Sequence, residues 1–133
     1  MKGDFQYKHA IIFCGPQKEN YIFYAASDIF VFPTLYEPFG NVHLEALASG
    51  LPVITTRMSG ASEIIRDKIH GFVIDRPENI DAIAEGIRFL MNKDERQRMS
   101  IEARRLAEKF SFKEHIRKMS SFYSSILNIK GKE

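Results

Sequence analysis

Glu37 and Glu45 are separated by seven residues that begin Pro38-Phe39-Gly40-Asn41 and continue through Val42, His43 and Leu44. Two carboxylates able to flank one bound molecule suit general acid–base chemistry. The segment between them adds a second capability. It leaves a short apolar run, Ile29–Phe32, and enters a predicted helix near Gly40 or Asn41. The first amides of a helix have no intrahelical acceptor, and the helix dipole places partial positive charge there. Such a terminus binds a phosphate or hydroxyl oxygen without a lysine. Gly40 lets ligand atoms approach the backbone, and Pro38 biases Glu37 toward an extended conformation. Over Asn41–Glu45 the helix axis rises only ~6 Å, so both carboxylates are expected to reach one ligand. The competing reading makes Glu45 a first-turn carboxylate that stabilises the helix dipole.

These residues must be positioned by a sheet. Four short runs, Ala10–Cys14, Ile29–Phe32, Val53–Thr55 and Phe72–Ile74, are apolar without in/out alternation, as strands covered on both faces are. Helical segments are expected between them, at about Glu19–Ala26, Asn41–Ser49 and Ala61–Arg66. Strands alternating with helices imply parallel pairing through right-handed crossovers. The turns after the runs, Gly15-Pro16, Pro33-Thr34, Ser59-Gly60 and Asp75-Arg76-Pro77, would gather at the carboxyl edge of the sheet, where such folds bind ligands.

After Pro77 the chain reads as helix to its end. Ile80, Ile83, Ile87, Leu90 and Met91 form one apolar stripe. Met99, Ala103, Leu106, Ala107 and Phe110 form a second, and Phe112, Ile116, Met119, Tyr123 and Ile126 a third. All three are read as core packing. Ser111-Phe112-Lys113-Glu114 is a capping box that marks the start of the last helix. Basic residues from Arg96 to Lys118 alternate with Glu95, Glu102, Glu108 and Glu114, which reads as a solvated face. Attraction to anionic lipid head groups is the sharper alternative.

The 133 residues suffice for one domain with one core, and 44% apolar with 27% charged content excludes a disordered scaffold. A net charge of +2 gives nucleic-acid binding no support. Cys14 is the single cysteine, so an intrachain disulfide framework is excluded and a reducing cytoplasm is expected. No apolar run approaches the ~20 residues of a membrane helix, and no signal-peptide core follows Met1. His9, His43, His70 and His115 are scattered, which implies surface or structural roles and no metal site. His43, two residues before Glu45, is turned about 200° from it on the helix.

Several stretches together resemble the group 1 (family 4) glycosyltransferases of the two-domain GT-B fold. They are Ala25–Gly40, including Pro33-x-x-x-Glu37-Pro38-Phe39-Gly40; Leu44–Ile54, including Ala48-x-Gly50-x-Pro52-Val53; Gly60–Ile65; and Gly71–Ile74. Glu37 and Glu45 match that family's E-x7-E element. The resemblance implies an α/β, Rossmann-like parallel sheet of about four strands with flanking helices and a helical C-terminus. It implies a single C-terminal, donor-binding domain over residues 1–133. Glu37 would be the catalytic-site glutamate that contacts hydroxyls of the donor sugar. The amides of Phe39, Gly40, Asn41 and Val42 would meet sugar hydroxyls and diphosphate oxygens, and Glu45 the ribose hydroxyls. Gly15-Pro16-Gln17 would bracket the base. The implied reaction is sugar transfer from a nucleoside-diphosphate-sugar with retention of configuration, without metal or cofactor.

Two strands that precede Ala10 in that family, its diphosphate-binding Arg and Lys, and the N-terminal acceptor domain have no counterpart here. With the strand order 3-2-1-4-5-6, the gap falls between Ala10–Cys14 and Ile29–Phe32. The first run is therefore expected to be displaced, to pair directly with Ile29–Phe32, or to be completed by another molecule, including a second copy at the open edge. An acceptor domain or partner chain would be needed, with peripheral membrane contact compatible. Two other readings stay open: a non-catalytic interaction module of the same fold, and a glycoside hydrolase using Glu37 and Glu45.

Overall fold

A computed structural model describes residues 10–130. In chain order it contains α1 (Asn20–Ala26), β1 (Phe30–Phe32), α2 (Asn41–Ala48), β2 (Val53–Thr56), a 3-10 turn (Gly60–Glu63), β3 (Gly71–Ile74), α3 (Ile80–Leu90), α4 (Lys93–Glu108) and α5 (Phe112–Lys130). The sheet runs β1-β2-β3, all parallel. Val53 lies opposite Phe30 and Gly71, and Thr55 opposite Phe32 and Val73. β2 is central and buried at all four positions, which is why it reads as a continuous run without polar alternation.

Alternate β2 side chains feed two clusters. Val53 packs with Ala46 and Leu47 of α2 and with Ala103, Leu106 and Ala107 of α4. Ile54 points to the other face and packs with Leu90 of α3 and Met99 of α4. Asparagines set both helix starts: the Asn79 side chain accepts from Ala82 N, and that of Asn92 from Asp94 N and Glu95 N, as capping requires. Ser111 Oγ accepts from Glu114 N at 3.3 Å at the start of α5.

Three expectations are corrected. Ala10–Cys14 is no strand: the described backbone here is irregular from Ile11 on, with Ile12 84% and Phe13 93% exposed. Among the described residues no strand lies beyond β1, so the expected direct pairing of this run with Ile29–Phe32 does not form. Among the described residues the sheet has three strands, where about four are expected. Ala61–Arg66 is not a helix; a single 3-10 turn over Gly60–Glu63 replaces it. The α5 stripe is not core. Phe112 is 78% exposed, and Ile116, Met119, Tyr123 and Ile126 are exposed as well, with no described element packed closely over the stripe. In α3, Leu90 is buried while Ile80 and Met91 are exposed. The α4 stripe, by contrast, is core at Met99, Ala103, Leu106 and Ala107. No described helix is long and apolar enough to cross a membrane.

This contrast is measurable by urea denaturation. Leu47→Ala removes a fully buried side chain and should cost about 3 kcal/mol. Ile116→Ala, on the uncovered face of α5, should change stability by less than about 0.5 kcal/mol. Equal losses at the two positions would contradict the packing described.

Candidate functional site

The loop that carries Glu37 is held from the neighbouring strand. Thr56 Oγ1 donates to the Thr34 carbonyl at 2.6 Å, and Thr55 Oγ1 lies 3.1 Å from the Phe32 carbonyl. Glu37 N donates to Met58 O at 3.2 Å, and Gly60 N donates to Glu37 O at 2.9 Å. A parallel bridge thus joins Glu37 to Ser59, extending the β1–β2 register into the loops. Gly60 permits it: a Cβ there would sit 1.9 Å from the Pro38 carbonyl oxygen. The Glu37 backbone is fixed on both sides while its side chain stays half-buried.

α2 begins immediately beyond. Its cap, Gly40, has φ +72° and ψ +84°, a left-handed conformation that costs glycine little. A Cβ at this position would also lie 2.8 Å from both Glu37 Cγ and His43 Nδ1. The amides of Phe39, Gly40, Asn41 and Val42 donate to no protein acceptor among the described residues, and the first is His43 N, bonded to Gly40 O at 2.9 Å. Asn41 is exposed and Val42 half-buried. The sheet edge therefore presents four free backbone donors at the positive end of a helix.

Glu45 is placed differently from the dipole reading. No acidic residue occupies the first turn of α2. The exposed Glu45 carboxylate instead accepts a 3.0 Å hydrogen bond from Tyr24 Oη of α1. Burial, and then the bond and charge of Glu45, push the Tyr24 phenol up to about 12, so it remains a donor at neutral pH. Glu37 stands beside Gly40 and His43, and Glu45 stands on the α1 side of the same helix start. Gly15 and Pro16 are exposed in the irregular segment, and a Cβ at Gly15 would meet nothing within 4 Å. They are not packed against this site.

Sequence reasoning missed three contributors. Tyr24 had no signal. His43 is fully buried, with Nδ1 2.9 Å from Gly40 O and Nε2 2.9 Å from Thr55 Oγ1; its position on the buried side of α2 was the available clue. Lys109, His115 and Lys118 line a cleft of about 640 Å³ with Phe39, Asn41 and Leu44, so part of the basic face adjoins the helix terminus. No described group of His, Cys, Asp or Glu is arranged to hold a metal ion, and His9 lies outside the described residues.

A family profile described as "Glycosyl transferases group 1" matches residues 3–106. The chain belongs to that family. A relative, the capsular polysaccharide biosynthesis glycosyltransferase CapM of Staphylococcus aureus, is 39% identical over 108 residues, 79% of this chain and 28% of the relative. This glycosyltransferase chain thus spans little more than a quarter of that protein's length. The C-terminal domain of the group 1 glycosyltransferase LpcC from Francisella tularensis superposes with TM-score 0.68 at 29% identity, covering 77% of this chain and 53% of that domain. The pneumococcal O-GlcNAc transferase GtfA, solved with UDP and GlcNAc, superposes with TM-score 0.70 at 26% identity, over 82% of this chain and 23% of that one. The architecture is that of GT-B glycosyltransferases, here with three parallel strands.

Two histidines give the domain a pH dependence. Burial holds both His43 and His70 below the usual histidine value, against the opposing charges of Glu37 and Glu102 respectively. The folded protein then binds fewer protons than the unfolded chain. Their stabilisation is complete above about pH 6.5 and is lost as pH falls through the folded values. The urea midpoint should hold between about pH 8 and pH 7 and decline below about pH 6.5. His70 Nδ1 accepts from Arg66 N at 2.9 Å, so His70→Asn, whose amide oxygen takes the place of Nδ1 as acceptor, should make the decline shallower. A midpoint unchanged down to about pH 5 would refute this assignment.

Proposed function

We propose that this chain is the nucleotide-sugar-binding, C-terminal part of a retaining glycosyltransferase of hexosyltransferase type. The observation that carries the reading is the set of unpartnered amides from Phe39 to Val42, set between Glu37 and Glu45 at the start of α2. Glu37 binds hydroxyls of the donor sugar and is the catalytic-site carboxylate. The Phe39, Gly40, Asn41 and Val42 amides take sugar hydroxyls and diphosphate oxygens. Glu45, oriented by Tyr24, takes the ribose hydroxyls. Gly15 and Pro16, exposed in the segment before α1, bracket the base. Departure of the nucleoside diphosphate builds charge on its β-phosphate, and fixed donors aimed there stabilise the transition state more than the ground state. UDP and GlcNAc bound to GtfA support this donor class.

The isolated chain binds donor weakly and transfers no sugar. A helix terminus contributes at most ~2 kcal/mol, against the ~5.5 kcal/mol that separates millimolar from ~0.1 micromolar binding. An acceptor domain, in the same polypeptide or in a partner, completes the site. The open edge of β1, where Val31 is exposed, takes further strands. A second copy at that edge, or an anionic membrane surface under α5, are the competing coverings. The site requires no compartment other than the cytoplasm.

Titration of UDP-glucose into the 15N-labelled chain tests the reading. Amide shifts should concentrate at Phe39–Val42 with a dissociation constant of about 1 mM or weaker, and Glu37→Gln or Glu45→Ala should reduce them. Unmoved amides at about 10 mM donor would reject donor binding. Micromolar affinity by calorimetry would reject incompleteness.

A further inference from the structure

The Gly40–Asn41 peptide follows a glycine in the left-handed region, φ +72°, where no Cβ limits its orientation. Yet the free Asn41 N–H must face the ligand. The described peptides include no cis bond, so this amide is trans and planar, with the Gly40 C=O and Asn41 N–H pointing in opposite directions. Whatever holds the carbonyl therefore aims the amide.

His43 holds it. The ring is fully buried and lies edge-to-face with Phe30 and Phe32 at centroid distances of 5.9 and 5.4 Å. Nδ1 lies 2.9 Å from the Gly40 carbonyl oxygen. A carbonyl only accepts, so Nδ1 must bear hydrogen. Nε2 lies 2.9 Å from Thr55 Oγ1. In a neutral ring Nε2 is then the acceptor, and the single Thr55 hydroxyl proton is directed to it instead of to Phe32 O. Position 40 and the ring also require each other, since a Cβ there would meet Nδ1 at 2.8 Å.

We propose that His43 is a positioning residue: as the Nδ1–H tautomer, locked by Thr55, it pins the Gly40 carbonyl inward and thereby turns the Asn41 amide outward toward the donor's phosphate or sugar oxygens. The consequence for donor binding rests on the function proposed above; the tautomer and the pinned peptide do not. Burial in the apolar ring stack favours the neutral form, and Glu37 is the charged group that opposes it. β1 and β2 present only Phe30, Phe32 and the uncharged Thr55 to the ring.

Long-range 1H–15N spectra of the wild-type chain read the tautomer directly. A pyrrole-like Nδ1 and pyridine-like Nε2 at about pH 7.5 are expected, and an Nε2–H tautomer overturns the assignment. Two variants then separate the two bonds. Asparagine places its amide nitrogen near Nδ1, and glutamine places its own near Nε2. His43→Asn should keep the Asn41 amide shift and bind UDP-glucose within about threefold of wild type. His43→Gln should move that shift and weaken donor binding about tenfold. Urea midpoints and the spectrum of α4 establish that each variant is folded; should either fail to fold, the wild-type tautomer still decides. An unmoved Asn41 amide in folded His43→Gln refutes the pin. A wild-type chain with the expected tautomer but no donor-induced shifts refutes the donor reading alone.

Discussion

The structure depends on one buried strand. β2 pairs in parallel with a neighbour on each side and exposes none of its four residues to solvent. Because a parallel ladder aligns chain direction, its partners deliver their carboxyl ends to the same edge. The loops after β1 and β2 must meet there, and the bridge between Glu37 and Ser59 is that meeting. Burial of Val53 and Ile54 on opposite faces anchors the layers, so the edge is rigid where the ligand-facing amides emerge.

Inside this apolar frame the polar groups are few and each is engaged: no buried side-chain nitrogen or oxygen among the described residues lacks a partner. Thr55 and Thr56 look out of place in a buried strand, but the Thr56 hydroxyl donates to the Thr34 carbonyl and holds the chain as it leaves β1, while that of Thr55 is engaged by the His43 ring. His43 adds the link from β2 to the start of α2. Burying an unpaired imidazole or hydroxyl is costly, so these groups specify one loop geometry. The contrast with the cradle amides is instructive. The interior leaves no side-chain polar group unpaired, while the sheet edge leaves four backbone donors free.

The places where sequence reading failed share a cause. Ala10–Cys14 has the composition of a buried strand, but a strand exists only where a neighbour completes its ladder, and β1 is the last strand described on that side. The α5 stripe has helical periodicity, and the helix forms. Periodicity marks which face is apolar without saying what covers it. In both cases local pattern was sound and the partner was lacking. Ala61–Arg66 failed as a helix for a different reason: the close approach of Gly60 to Pro38 holds the backbone at the loop, and a single 3-10 turn follows before the buried Ile65.

By itself the sequence determined the alternating α/β order, the non-alternating character of β2 as a strand covered on both faces, the start of α2 at Gly40–Asn41, and the pair Glu37 and Glu45 as the residues to examine. These follow from composition, turn chemistry and spacing, which are local. Tertiary structure alone decided that Glu45 is bonded to Tyr24, that His43 is sealed between Thr55 and Gly40, and that the first apolar run stays outside the sheet. Each of these joins residues that are near in space and set by packing, and hydrogen-bond satisfaction in a buried site depends on which neighbours arrive, not on the residues' own preferences.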